Sequence, residues 1–152
     1  MKICLASDHR GFDAKARLLA MLREKGHDVV DFGTDSTESC DYPDKGGPAA
    51  QKVAAGEFDV ALLFCGTGIG MSMTANKVPG IRAALCHDEL TAELSRRHND
   101  ANVLCLPADL LGDELIRRIV EVWLTTPFDG GRHARRLKKL SDLERGMKLG
   151  EP

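Results

Sequence analysis

The chain has 152 residues, of which 43% are hydrophobic and 29% charged. This length and balance suit one compact domain with a substantial core and exclude a disordered chain. The formal net charge of −2 disfavours a nucleic-acid binder, because such proteins are usually basic. No apolar run approaches the about 20 residues of a membrane-spanning helix, and the first one stops at Asp8. We therefore expect no signal peptide and neither nucleic acid nor membrane as a partner.

The five cysteines indicate free thiols rather than cross-links. They form no C-x-x-C pair, and four of them lie in apolar, strand-like runs. An odd number in that setting favours a reducing compartment over a disulfide framework or a zinc site. We therefore expect a cytoplasmic protein. The cysteines are Cys4, Cys40, Cys65, Cys86 and Cys105.

Short apolar, β-prone runs alternate along the chain with stretches of helical periodicity. In the first helical stretch, Phe12, Ala16, Leu19 and Leu22 follow a helical spacing. Alternation of this kind predicts an α/β fold: a single three-layer Rossmann-like domain over residues 1–152, with a five-stranded parallel sheet. The predicted strands are 3–7, 28–32, 60–65, 81–86 and 103–106.

An extra C-terminal helix is predicted at about 132–147, after the last strand and its helix. Leu137, Leu140, Leu143 and Met147 form one apolar stripe on it, and the opposite face is basic. Two interpretations stay open: the helix packs on its own domain, or it lies across a second subunit. We favour the second interpretation, which predicts a homodimer or homotetramer.

The strongest chemical signal follows the third predicted strand, which ends in Cys65 and runs into Gly66-Thr67-Gly68-Ile69-Gly70. Glycines let the backbone turn tightly, and the next helix points its N–H groups at a ligand. A phosphate or a reaction oxyanion would be stabilised there. The same field favours a thiolate, so Cys65 can serve as a nucleophile or a general base. The alternative is a small buried residue that ends a strand.

Two other motifs fail on particular residues. A dinucleotide-binding G-x-G-x-x-G pattern needs a third glycine where Met71 or Met73 stands. A cysteine phosphatase loop needs an arginine at the position of Met71. The loop therefore favours a small anion over NAD, and proton transfer over phosphate hydrolysis.

Other candidate residues lie at strand and helix ends. Asp8 and His9 follow the first strand, where they suit sugar-hydroxyl and phosphate contacts, or alternatively loop and helix capping. His98 closes the fourth helix, at the sheet edge opposite Cys65, so it must come from another subunit if it serves Cys65. Arg132 and Arg136 are four residues apart and share a helix face, where two guanidinium groups can bind a phosphate.

Taken together and in order, these segments resemble the ribose-5-phosphate isomerase B family, which includes galactose-6-phosphate isomerase subunits. The resemblance runs from Lys2 to about Glu144. Its carriers are Ser7-Asp8-His9-Arg10-Gly11, Asp41-Tyr42-Pro43, Cys65-Gly66-Thr67-Gly68-Ile69-Gly70, Ala75-Asn76-Lys77, Gly80-Ile81-Arg82-Ala83, Ser95-Arg96-Arg97-His98-Asn99-Asp100, Asn102-Val103-Leu104 and Gly130-Gly131-Arg132-His133.

The resemblance implies a metal-free and cofactor-free aldose–ketose isomerisation of a sugar phosphate through an enediol, in a dimer or tetramer with shared sites. It implies that Cys65 moves the proton between C2 and C1, that Thr67 lies near the migrating hydroxyl protons, and that His98 opens the furanose ring. Some family members use a glutamate at the position of Met71, so this chain belongs with the cysteine branch. The implied substrate-binding residues are Asp8, His9, Tyr42, Gly66, Gly68, Ile69, Gly70, Asn99, Arg132, His133 and Arg136.

One departure from the family concerns Asp109, where many relatives carry an arginine thought to aid phosphate binding. A carboxylate there repels a phosphate unless it turns away, so either the C-terminal arginines hold the phosphate or the substrate differs. Ribose 5-phosphate is the expected substrate, and allose, galactose or tetrose phosphates are alternatives. A non-catalytic sugar-phosphate-binding subunit is disfavoured by the presence of both Cys65 and His98, and a nucleotide-binding signalling domain by the failed glycine spacing.

Overall fold

Strands and helices alternate through the chain in a computed structural model, which describes residues 1–150. The strands are Lys2–Ser7 (β1), Asp28–Asp31 (β2), Val60–Cys65 (β3), Ala83–Leu85 (β4) and Val103–Pro107 (β5). The helices are Phe12–Glu24 (α1), Tyr42–Ala54 (α2), Ile69–Ala75 (α3), Glu89–Asn99 (α4), Asp113–Thr125 (α5) and Arg132–Glu144 (α6).

The five strands form one parallel sheet in the order β2-β1-β3-β5-β4. The central strand, β3, reads Val-Ala-Leu-Leu-Phe-Cys and is buried along its whole length, as expected where helices cover both faces of a sheet. Side chains of β1 alternate between two apolar clusters: Ile3 and Leu5 pack with α1 and α5, whereas Cys4 and Ala6 pack with α2 and α3. The predicted three-layer α/β fold is therefore confirmed.

Two predicted boundaries are wrong by a few residues. The fourth strand is three residues long, Ala83–Leu85, rather than the predicted 81–86. The last helix ends at Glu144 rather than near Met147 because Gly146 adopts a positive φ of 79° and its N–H turns back to the carbonyl of Leu143. A glycine in that conformation is the usual end of a helix.

The predicted inner face of α1 is also displaced. Ala16 is exposed, whereas Lys15 is buried. The ammonium group of Lys15 donates hydrogen bonds of 2.6 Å to the carboxylate of Asp31 and to the carbonyl of Thr34. A hydrophobic pattern cannot place a paired ammonium group inside, because the pairing partner comes from another element.

The helix α6 buries few of its side chains against its own chain. Only His133 and Asp142 are buried in it, and the carboxylate of Glu144 accepts a 3.0 Å hydrogen bond from the N–H of Gly80. Leu140 and Leu143 of the predicted apolar stripe remain 50% and 54% exposed. About half of each of these two side chains therefore remains uncovered, and both border a groove against Gly80, Ile81 and Arg82 of the same chain.

The order of the sheet places a crevice at the carboxyl ends of β1 and β3. The chain leaves β1 toward β2 on one side, whereas it leaves β3 toward β4 on the other. Ligands of open α/β sheets bind at such a switch point. Among residues 1–150, the longest and most apolar helices still fall short of what a membrane crossing requires.

Candidate active site

A glycine loop holds the thiol of Cys65 at the carboxyl end of β3. Cys65 is the last residue of the strand and is 4% exposed. Three residues later, Gly68 adopts a left-handed φ of 73°, which turns the chain into α3 and points its N–H at the sulfur of Cys65 over 3.1 Å. The N–H of Gly68 thus donates a hydrogen bond to the sulfur from within the loop. The glycine loop therefore encloses the thiol of Cys65, the residue that the sequence predicts to be the base.

Three of the other four cysteines are buried in apolar surroundings. Burial raises the pKa of the Cys4 thiol to about 12, with a further contribution from Asp31. Burial likewise raises the pKa of Cys86, and it raises that of the fully enclosed Cys105 well above the usual range. These three side chains remain inert thiols at neutral pH.

Asp8 and His9 lie beside the loop, in the turn after β1. Asp8 is 6% exposed, and its Oδ1 accepts hydrogen bonds from the N–H groups of Arg10 at 2.9 Å and Gly11 at 3.1 Å. Asp8 therefore caps this turn, which was the alternative interpretation of its carboxylate. The Nδ1 of His9 lies 3.3 Å from the N–H of Cys40, which fixes the imidazole at the crevice.

Tyr42 and Thr67 border the same crevice. The ring of Tyr42 lies so close to Gly70 that a methyl group there would approach its carbons to 2.9 Å. Thr67 is exposed at the tip of the loop, and its Oγ1 accepts a 3.4 Å hydrogen bond from the N–H of Ile69. One chain thus brings together the predicted base, the glycine loop and the candidate residues of the turn after β1.

Asp109, the departure from the family pattern, lies directly over the loop rather than turned away. Its N–H donates to the carbonyl of Gly66 over 3.0 Å, and a methyl group on Gly66 would come within 2.5 Å of its Oδ2. The same oxygen accepts hydrogen bonds from Arg10, at 2.7 Å from Nη2 and 2.9 Å from Nε. Sequence patterns do not reveal this ion pair, because the two residues are 99 positions apart.

A second cluster forms where α4 ends and α6 begins. The rings of His98 and His133 stack in parallel, with centroids 4.2 Å apart and an interplanar angle of 4°. Arg132 reaches His133, with 3.5 Å between Nε and Nε2. Asn99 is exposed beside them, and Arg136 lies on the exposed surface one turn along α6.

The second cluster lies at the sheet edge opposite Cys65. Just past α4, the carbonyl of Asn102 accepts a hydrogen bond from the N–H of Ala61, near the amino end of β3. Cys65 ends that same strand. One chain therefore does not bring His98 and Cys65 together, as the sequence argument expected.

The charges of the second cluster suit an anion. Burial lowers the pKa of His133, and the neighbouring His98, Arg132 and Arg136 lower it further. A bound phosphate dianion would offset the repulsion among these positively charged groups, because it carries the opposite charge.

Asp129 completes a group of possible metal ligands with His98 and His133, since one donor atom from each lies within 4.8 Å of the others. The metal-free site expected from the resemblance does not include this group, whose residues lie at the end of α4, between α5 and α6, and at the start of α6. The nitrogen lone pairs of the two stacked imidazoles lie in parallel planes. One ring would therefore have to rotate before both nitrogens could point at the same metal ion. The carboxylate of Asp129 also pairs with Arg97 at 3.2 Å.

A parallel α/β sheet that ends in a glycine loop around a thiol defines an enzyme site for a small anionic substrate. Comparison with known proteins places the chain within that class. The family model described as Ribose/Galactose Isomerase matches residues 3–140. Ribose-5-phosphate isomerase B of Escherichia coli (strain K12) is 45% identical over 143 residues, which cover 94% of this chain and 96% of the relative.

Solved structures agree with the sequence match. The ribose-5-phosphate isomerase B of Clostridium thermocellum has a TM-score of 0.95 and 47% identity, covering 96% of this chain and 99% of that one. The Mycoplasma genitalium enzyme, solved with bound ribulose-5-phosphate, has a TM-score of 0.91 and 42% identity, covering 95% and 96%. The chain therefore belongs to the Ribose/Galactose Isomerase family and is a sugar-phosphate isomerase, as the resemblance predicted.

Proposed function

We propose that this isomerase interconverts ribose 5-phosphate and ribulose 5-phosphate, with Cys65 as the general base. The observation that carries the proposal is the thiol of Cys65 at the mouth of the glycine loop, 3.1 Å from the N–H of Gly68. The ribulose-5-phosphate bound to the Mycoplasma genitalium relative supports the substrate. The free thiols Cys4, Cys40, Cys65, Cys86 and Cys105 support a reducing, cytoplasmic location.

The proton moves in two steps. The thiolate of Cys65 takes the proton from C2 of the open-chain aldose, and the electron pair forms the C1–C2 double bond of an enediolate. The loop N–H groups stabilise the negative oxygen on C1. Return of the proton to C1, with transfer of the O2 proton to O1 beside Thr67, gives the ketose. General acid–base catalysis of this kind contributes about 10²–10⁴-fold.

Substrate binding uses groups from both clusters. His9, Arg132 and Arg136 hold the phosphate, with His133 beside them, and His98 assists opening of the furanose ring. Asp8 accepts a sugar hydroxyl at its second carboxylate oxygen, and Asn99 binds next to it. Tyr42, Gly66, Gly68, Ile69 and Gly70 line the rest of the pocket.

Because the two clusters lie at opposite edges of the sheet, a second copy of the chain must supply one of them. We place α6 across that second copy, in a homodimer or a homotetramer built from such dimers. Leu140 and Leu143 support this arrangement, since these apolar side chains are 50% and 54% exposed on the helix that carries two of the proposed phosphate ligands. Met147, just past the end of that helix, is 52% exposed.

Mixing two inactive variants tests the shared site. Cys65→Ala and His98→Asn should each be inactive alone, and their mixture should recover about a quarter of the wild-type turnover. Random exchange makes half of the dimers mixed, and each mixed dimer holds one intact site out of two. The measurement is turnover before and after subunits exchange in mild denaturant. A mixture that stays inactive after verified exchange would place both residues in one chain's site.

Turnover of ribose 5-phosphate by the purified protein, with EDTA present, tests the substrate. We expect formation of ribulose 5-phosphate at a rate that EDTA does not change, since the proposed proton transfer uses only side chains and backbone donors. Absence of turnover would refute ribose 5-phosphate as substrate. Allose, galactose and tetrose phosphates would then be compared by kcat/KM on the same protein.

A further inference from the structure

We propose that Arg10 is a further phosphate ligand of the substrate, and that Asp109 is the residue that positions it. The inference rests on the proposed function, because it assigns a second binding group to the same phosphorylated sugar. It also gives a role to the one residue that departs from the family pattern.

Arg10 stands at the mouth of the crevice. It follows His9 in the turn after β1, and its Cβ lies 3.7 Å from the position that a methyl group on Gly66 would occupy. Its side chain is 59% exposed, so a ligand can reach the guanidinium group beside the loop. A phosphate that contacts His9 would come within reach of this neighbouring side chain.

Asp109 fixes the direction of the guanidinium group. The backbone of Asp109 is tied to the carbonyl of Gly66 at 3.0 Å, and its Oδ2 accepts hydrogen bonds from both Nε and Nη2 of Arg10. These bonds use two of the five N–H donors of an arginine, so three remain for a ligand. An arginine held along one edge loses less entropy when its other edge binds a phosphate.

The charges make sense only as a pair. Without Arg10, the carboxylate of Asp109 would stand unpaired over the loop, with its Oδ2 2.5 Å from the position that a methyl group on Gly66 would occupy. There it would repel an anionic substrate. Arg10 cancels that charge and keeps free donors. Loss of Arg10 therefore removes a ligand and also exposes a repelling carboxylate.

Replacing Arg10 by methionine in two backgrounds separates these effects. In the otherwise wild-type protein, Arg10→Met should raise the KM for ribose 5-phosphate and weaken binding of inorganic phosphate, each by about 10- to 100-fold, as expected for a lost charged hydrogen bond. With Asp109→Asn already in place, no carboxylate remains to be exposed. Arg10→Met should then still raise the KM for ribose 5-phosphate and weaken binding of inorganic phosphate, each by about fivefold or more. In both backgrounds kcat should change less than about threefold, since the group binds substrate without moving a proton.

Arg17→Met is the matched control. Arg17 pairs with Asp113 at 2.7 Å. The side chain of Arg17 is 56% exposed, close to the 59% of Arg10. Its loss should leave the KM and phosphate binding unchanged. If Arg10→Met has no effect in the Asp109→Asn background, Arg10 only neutralises the carboxylate and the proposal is wrong.

Calorimetric titration with inorganic phosphate keeps this proposal separate from the proposed function. If ribose 5-phosphate is not turned over but Arg10→Met still weakens phosphate binding, the phosphate ligand stands and the substrate assignment fails. If turnover is robust and phosphate binding is unaffected by Arg10→Met, the substrate assignment stands and the ligand assignment fails.

Discussion

Replacing Cys65 by alanine should lower kcat by about 10²–10⁴-fold while the affinity for the sugar phosphate stays within a few-fold of wild type. The alanine cannot accept the C2 proton, but the N–H groups of the loop and the phosphate ligands remain in place. The sulfur of Cys65 lies 3.1 Å from the N–H of Gly68, and a methyl group leaves that donor free for solvent. Steady-state turnover together with calorimetric binding checks both halves of the expectation.

Cys4→Ala is the control for this experiment. Cys4 is also fully buried and lies on the neighbouring strand β1, but burial raises its pKa to about 12, so it stays a thiol. Its loss should cost some stability and leave turnover unchanged. A Cys65→Ala protein that keeps near wild-type turnover would eliminate Cys65 as the base.

Gly68→Ala should lower both stability and turnover. The φ of 73° at Gly68 is strained for any residue with a side chain, and a methyl group would overlap Leu85 while lying 3.2 and 3.3 Å from the backbone of Leu106 and Pro107. Strain of this kind costs about 1–2 kcal/mol, and overpacking adds about 1–3 kcal/mol. Displacing the N–H of Gly68 should also lower kcat by about 10²-fold.

Gly56→Ala isolates the backbone contribution, since Gly56 has the same φ of 73° but nothing within 4 Å of the added methyl group. Urea unfolding of both variants gives the comparison, and Gly56→Ala should lose only the strain energy and keep full turnover. Equal stability losses in the two variants would contradict the crowding at Gly68.

The features that the sequence predicted are those with a local signal. Five apolar runs predicted five strands because parallel strands are buried on both faces. The loop after Cys65 was predicted because glycines at alternate positions after a strand form a local pattern, which indicates a tight loop whatever the rest of the chain does. The placement of His98 away from Cys65 followed from chain order alone, because the carboxyl end of a helix returns to the amino edge of the sheet.

The features that the sequence did not predict depend on partners distant in the chain. Burial of Lys15 requires Asp31 and Thr34, and the pairing of Asp109 requires Arg10. Neither hydropathy nor periodicity contains such pairings, because each carboxylate could meet several cations. The stack of His98 on His133 is of the same kind, since it joins two helix ends that no local pattern relates.

The distance between the two clusters has a consequence for how the activity depends on dilution. Cys65 and His98 belong to opposite edges of one sheet, so under the proposed shared site a lone chain contains two halves of different sites and no complete one. Dissociation then removes turnover outright instead of lowering it. Specific activity would therefore fall when the enzyme is diluted below the dissociation constant of the dimer. A saturating sugar phosphate would counter this loss, because it binds only the assembled site and so favours the dimer by mass action.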